Sequence, residues 1–168
     1  MQPYLITYKE VHELARKMSQ HIEADRIDMY IREAENMDLK PVLGDGLMIA
    51  IKGNPSAFKA LLNGGVYVDR NGVKKSFEGL KSALAYFTYA RFVRNDDGHV
   101  TRSGFMVKDN EHSARTSETE KERAYNDAVS IARRYLNECM EFSRQDEPCK
   151  ACCGTPERKQ GKYKVLGD

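Results

Sequence analysis

The residues whose type and spacing could do chemistry sit near the C-terminus, where Cys149, Cys152 and Cys153 follow one another within a few positions. A Cys-x-x-Cys knuckle supplies two of the four ligands of a tetrahedral zinc site. No second knuckle and no His-x-x-x-His accompanies it, so the shell would close only with Cys139 or Cys153 and a histidine such as His99 or His112. The metal alternative is therefore Cys139, Cys149, Cys152 and Cys153. Otherwise these are free thiols of a tail or a contact with another subunit. His12, His21, His99 and His112 are scattered, and no serine elbow or activated cysteine pairs with them. Gly44-Asp45-Gly46 lacks the lysine of a phosphate-binding loop and reads as a turn. The expectation is a protein that is not an enzyme and needs no cofactor.

Charge narrows the partners. Lys plus Arg number 27 against 25 Asp plus Glu, which leaves a formal net charge of +2 and no field that would drive the whole molecule onto nucleic acid. Basic residues do gather at Lys74 and Lys75, at Arg91 and Arg94, at Arg133 and Arg134, and through Arg158, Lys159, Lys162 and Lys164. Acidic neighbours such as Glu120, Glu122, Glu138 and Glu141 dilute them. No apolar run approaches the roughly 20 residues of a membrane span, and Met1 to Tyr8 lacks the basic start and apolar centre of a secretion signal. The chain is expected to be cytoplasmic at synthesis, with its thiols reduced.

These residues must be positioned by a chain of 168 residues, 40% hydrophobic and 31% charged, the composition of one folded domain with appendages. Thr7-Tyr8-Lys9-Glu10 has the form of a capping box, so a short helix begins near Tyr8 and carries Val11, Leu14, Ala15 and Met18 on one side. Ile27, Tyr30, Ile31, Ala34 and Met37 mark a second amphipathic helix, which should end or bend near Leu39-Lys40, since Pro41 has no N–H to donate. Val42 to Ile51 is a short buried helix or a strand. Asn54-Pro55 and Asn63-Gly64-Gly65 bracket a two-turn helix over Pro55 to Leu62. The period then changes. Val66 to Arg70 and Val73 to Phe77 flank Asn71-Gly72, the dipeptide suited to a tight type I′ hairpin turn.

Helical spacing returns from Glu78 to about Asn95 through Leu80, Ala83, Leu84, Phe87, Ala90 and Arg91, the pattern of a central core helix. Its aromatic stripe of Tyr86, Phe87, Tyr89 and Phe92 is wider than one core face needs. The first reading is a core with amphipathic edges. Interfaces concentrate Tyr and Arg, however, so Tyr89, Arg91 and Arg94 are candidates for a subunit interface. Val100 to Ser113 reads as an irregular, partly extended link. Ser117-Glu118-Thr119-Glu120 is a second capping box, opening the longest helix with a stripe of Ala124, Ala128, Ile131, Tyr135 and Phe142. From Arg144 to Asp168 the periodicity stops. The fold class is thus mainly α: a helical bundle over 1–143 with one β-hairpin inserted near 66–77, and an extended C-terminal tail over 144–168.

This order of elements resembles the small connector, or adaptor, proteins that form a ring beneath the portal of tailed bacteriophages. The stretches that carry the resemblance are Ile27-Asp28-Met29-Tyr30-Ile31-Arg32-Glu33-Ala34-Glu35 running into Leu39-Lys40-Pro41-Val42-Leu43-Gly44-Asp45, then Ala83 to Phe92, and Ala124 to Phe142 with its Tyr135-Leu136-Asn137-Glu138-Cys139. The look is that of connector-like proteins of phages infecting Bacteroidetes, including crAss-like phages, over Leu5 to Phe142.

The resemblance implies a structural virion protein at the portal–tail junction, assembled in the host cytoplasm. It implies a twelve-fold homo-oligomeric ring that binds the portal protein on one side and the next tail or adaptor protein on the other. DNA passes through its channel without sequence-specific binding, and no membrane is involved. It further implies that the tail is disordered in the free subunit and folds against the portal, with Tyr163, Val165 and Leu166 as apolar anchors and Lys159 and Lys162 meeting acidic groups. A different class stays open beside it: a small nucleic-acid-binding or regulatory protein with the cysteine tail as a zinc knuckle, marked by stoichiometric zinc and salt-steep DNA binding.

Overall fold

A computed structural model describes residues 4–19, 22–96, 98–101, 104–107 and 117–144. Both capping boxes form. The Thr7 hydroxyl accepts the Glu10 N–H at 3.4 Å and the Glu10 carboxylate accepts the Thr7 N–H at 2.8 Å, which starts α1 (Tyr8–Leu14). Ser117 and Glu120 repeat the exchange at 3.2 and 3.0 Å to start α6 (Glu118–Ser143).

Helix α2 (Ala24–Ala34) buries Ile27, Tyr30, Ile31 and Ala34, as its stripe predicts. Of the end or bend expected near Leu39-Lys40, the chain shows a change of helix type rather than a stop. The chain passes through one wide π-helical turn, Glu35–Leu39, in which the Lys40 N–H reaches back to the Glu35 carbonyl, and continues directly as α3 (Lys40–Gly53). The π-turn makes Lys40 a fresh helix start, so Pro41 falls in a first turn, where a missing N–H costs least. The break comes at Gly44, whose φ of 77° and ψ of 160° kink α3. Met37, expected on the buried stripe, is turned outward by the π-turn, whereas the ambiguous stretch Val42 to Ile51 is helical and buries Leu43, Leu47, Met48 and Ile51.

A 3-10 turn (Pro55–Phe58) leads into α4 (Lys59–Asn63), without a side-chain cap from Asn54. Strands β1 (Gly65–Val68) and β2 (Lys74–Phe77) then pair antiparallel, with Val66 opposite Ser76 and Val68 opposite Lys74. The hairpin is where the sequence places it, but its turn is not the two-residue one expected. Asp69 donates its N–H to the Val73 carbonyl, and Gly72 donates to the Asp69 carbonyl, each at about 3 Å, the bonding of a three-residue loop. The Asp69 carboxylate accepts the N–H groups of Asn71 and Val73, both at 2.9 Å, so a side chain holds the longer loop.

Helix α5 (Leu80–Asn95) is the central element and packs against α1, α2, α4 and α6. Leu80, Ala83, Leu84, Ala85, Phe87 and Ala90 are buried, and Thr88 is reconciled to the core by donating its hydroxyl to the Leu84 carbonyl at 2.8 Å. Its start is set by a backbone crossing. Gly79, at φ 87° and ψ 165°, lies so close to Gly64 that a Cβ there would stand 2.6 Å from the Asn63 carbonyl carbon and the Leu62 oxygen.

After α5 the region expected to be irregular holds a second antiparallel hairpin, β3 (Gly98–Thr101) with β4 (Gly104–Val107). Four-residue strands with little apolar alternation give no readable period. Helix α6 closes the bundle on α5. Its buried line is Ala128, Ala132, Leu136, Cys139 and Ser143, so of the expected stripe Ala128 is on the seam and Ala124, Ile131, Tyr135 and Phe142 flank it. The core is one cluster to which α1 through α6 and the first hairpin all contribute. The architecture is a mainly helical bundle with the inserted β1–β2 hairpin; the tail beyond Arg144 lies outside the described residues.

Candidate assembly surface

Polar side chains near the core are tied to one another across elements. Glu35, buried inside the π-turn, accepts the Leu5 N–H and the Lys52 ammonium, each at 2.5 Å, which joins the N-terminal segment and α3 to the turn. Arg26 of α2 reaches Asp96 at the end of α5, 2.5 Å to its carboxylate and 3.1 Å to its carbonyl. Lys81 of α5 meets Glu10 of α1 at 2.5 Å, and Arg16 pairs with Asp127 of α6. Burial raises the Glu10 pKa, but hydrogen bonds from Lys81 and Thr7 outweigh it and hold the carboxyl below its ordinary 4.5.

Of the three residues proposed for a subunit interface, Arg91 and Arg94 make contacts inside the chain. Arg91 donates through Nε to Asp38 at 2.8 Å and approaches Glu33 at 3.5 Å, bonds that raise its pKa further and fasten α5 to the α2–π segment. The Arg94 guanidinium lies 4.8 Å over the Tyr125 ring of α6. Tyr89 is half-buried. Arg91 thus ties α5 to the α2–π segment.

Cys139 is buried in the core, and burial pushes its thiol up to about 12. A ligand must be a thiolate. Cys139 lies on the buried line of α6, while the other members of the candidate zinc set, Cys149, Cys152 and Cys153, lie outside the described residues. So do the tail residues Lys159, Lys162, Tyr163, Val165 and Leu166, and His21 and His112. Among the described residues no group of three or more His, Cys, Asp and Glu could hold a metal ion, and no helix is long and apolar enough to cross a membrane.

Depressions on the surface are shallow. One follows α6 past Tyr125, Ser130, Arg133 and Glu138, one surrounds His12 with Lys9, Glu13 and Lys17, and one lies between the hairpin loop and Arg144. None of these three brings a nucleophile to a base; His12 stands edge-on to the Tyr8 ring at 6.4 Å.

What the described surface does offer is apolar area. The β1–β2 hairpin is apolar on both faces. On one, Tyr67 and Phe77 pack with Phe142 of α6, Phe77 and Phe142 stacked at 4.6 Å. Lys75 adds a bond of 3.3 Å to Glu141, and Arg70 donates to the Arg144 carbonyl at 3.2 Å. The strand period of two sends Val66 and Val68 to the opposite face, across from Ser76 and Lys74, where they are 72% and 57% exposed. Exposed apolar residues also occur along the π-turn and α3: Met37 at 65%, Val42 at 47% and, beyond the Gly44 kink, Ile49 at 70%. The signal for the first is legible in the strand period, which turns Val66 and Val68 away from Tyr67. The second depended on the π-turn, which the sequence does not announce.

The fold is a mainly helical bundle with an inserted hairpin. The chain belongs to DUF6712, a family of unknown function, whose model matches residues 39–147. The match takes in α3 through α6 and leaves α1 and α2 outside. No curated protein and no solved structure matches the chain.

Proposed function

We propose that this protein is a structural subunit of the head-to-tail connector of a tailed bacteriophage, a non-enzymatic ring component between the portal and the tail. The observation that supports the reading is the exposure of apolar side chains on two different elements, Val66 and Val68 on the hairpin and Val42 and Ile49 on α3, while polar side chains are committed to ties inside the bundle. A closed ring needs two unlike surfaces on each subunit, one for each neighbour. Near-neutral net charge suits a wall past which DNA slides, since strong positive charge would hold the duplex by its phosphates. In this reading Lys159, Lys162, Tyr163, Val165 and Leu166 contact the portal, the ring is twelve-fold, and a further adaptor or tail protein docks beneath it in the virion.

The test is sedimentation of the purified chain with the portal protein of the same genome, with zinc assayed on the same sample. Co-sedimentation in fixed ratio, lost on removal of residues 145–168 without loss of helicity, supports the connector. A chain that ignores the portal and carries one zinc overturns it in favour of the zinc-knuckle class.

A further inference from the structure

The strands form two small sheets, in which β1 and β2 pair only with each other, as do β3 and β4. In the first hairpin the Asp69 N–H bonds the Val73 carbonyl, so by the alternation of an antiparallel ladder Tyr67 with Lys75 and Gly65 with Phe77 are the bonded pairs. The N–H and C=O groups of Val66 and Val68 therefore point away from β2, on a strand where both valines are exposed. Sheet edges are ordinarily guarded by charge or proline. β2 carries Lys74 and Lys75, whereas β1, Gly65-Val66-Tyr67-Val68, carries neither guard. The second hairpin shows the same contrast: β3 carries His99, and β4, Gly104-Phe105-Met106-Val107, is uncharged and as long as β1. A two-stranded hairpin is marginal in water unless a further strand or a helix supports it. Phe142 and Glu141 of α6 support β1–β2, but among the described residues β3 and β4 pack closely only on each other.

We infer that the open edge of β1 in one copy takes up β4 of a second copy, joining the two hairpins into one four-stranded sheet across the contact. Backbone bonds supply such a pairing, and it asks of both strands only that they be extended and unguarded. The hairpin that lacks support and the edge that can give it stand on one chain but in separate sheets, so the occupant is a second copy. Each pair leaves one β1 and one β4 free, which makes the contact head-to-tail and lets it continue from copy to copy. The inference deepens the connector reading, on which it rests for its place in a ring, by naming the strands through which neighbours join; its test does not involve the portal.

Proline is the probe, since at Val68 it removes an outward N–H and no bond of the hairpin, and Tyr67 before it is already extended. Val68→Pro keeps wild-type helicity by circular dichroism, and Val68→Lys, a charge on the same strand, is the second variant should proline weaken the hairpin. In sedimentation at concentrations approaching millimolar the wild type forms oligomers and both variants are monomers. Hydrogen exchange read by mass spectrometry then identifies the partner strand. The Gly104–Val107 amides exchange more slowly in the wild-type oligomer than in monomeric Val68→Pro, and nitrogen-15-labelled Val68→Pro gains the same protection when unlabelled wild type is added, because its β4 is intact. A variant that assembles like the wild type overturns the inference, as does a wild type that stays monomeric. Loss of oligomers with the β4 amides equally fast in both proteins also overturns it. Each of those results leaves portal co-sedimentation to stand or fall separately.

Discussion

Gly79 and Gly44 share nearly one backbone conformation, φ 87° and ψ 165° against φ 77° and ψ 160°, yet differ in what surrounds them. Replacing either with alanine forces a Cβ into a region that is essentially glycine's alone, at about 1–3 kcal/mol. At Gly44 nothing lies within 4 Å of the new atom, so this strain is the whole effect. At Gly79 the Cβ would stand 2.6 Å from the Asn63 carbonyl carbon and the Leu62 oxygen, both backbone atoms that cannot rotate aside. The hairpin and the start of α5 must then move apart, which adds a further ~1–3 kcal/mol or more, as overpacking does. Gly79→Ala should therefore cost about 3–5 kcal/mol in total, a large fraction of the ~5–15 kcal/mol stability of an ordinary domain. Urea unfolding followed by helical circular dichroism, with the slope checked for constancy, measures both. Equal losses in the two variants would refute the reasoning, because only the crossing with Gly64 separates them.

Other expectations follow from the ties between elements. Glu10→Gln should lower stability by roughly 1 kcal/mol near neutrality and leave it unchanged at about pH 2. A carboxyl whose folded pKa lies below 4.5 contributes above that value and loses its contribution as pH falls through the folded pKa. Urea midpoints at the two pH values check this, and a loss that persists in acid argues against the Lys81 bond as its source. Lys52→Met leaves the buried Glu35 carboxylate with the Leu5 N–H and without its cation, at a cost of ~3–5 kcal/mol, whereas Glu35→Gln keeps an acceptor for Leu5 and costs nearer ~1–2 kcal/mol. Thermal unfolding should rank them in that order; the reverse order would mean that the pair is not sealed from water. In a background with Cys149, Cys152 and Cys153 changed to serine, Cys139 should resist alkylation at about pH 8 in the native protein and react within minutes in urea. Rapid native labelling would place it outside the core.

How much of this could be read beforehand depended on whether a signal was local. The capping boxes at Thr7 and Ser117 were readable because the exchange spans only three residues and depends on nothing else. The hairpin was readable for the same reason, but its turn was not, since the Asp69 carboxylate competes for the N–H groups that a two-residue turn would leave in the ladder. Pro41 misled because its effect depends on what precedes it. In hindsight a trace was present: Ile27, Ile31, Glu35, Leu39, Leu43, Leu47 and Ile51 recur every four residues and are all buried. In a regular α-helix each such step drifts about 40° around the axis, so a line of seven would spiral off the core. The wide turn at Glu35–Leu39 and the kink at Gly44 reset it. Of the candidate site, Tyr89, Arg91 and Arg94 were chosen for residue type, and Arg91 proved to be held by Asp38 and Glu33, partners more than fifty positions away that spacing along one helix cannot reveal.

The central position of α5 also sets how the molecule opens. Helices α1, α2, α4 and α6 each lean on it, and they contact one another far less. The amide protons of α5 are therefore shielded from solvent until several neighbours detach together, and should exchange for deuterium only through global opening, whereas those of the seven-residue α1 escape through local fraying. A subunit built this way can release its N-terminal helix while keeping its keel.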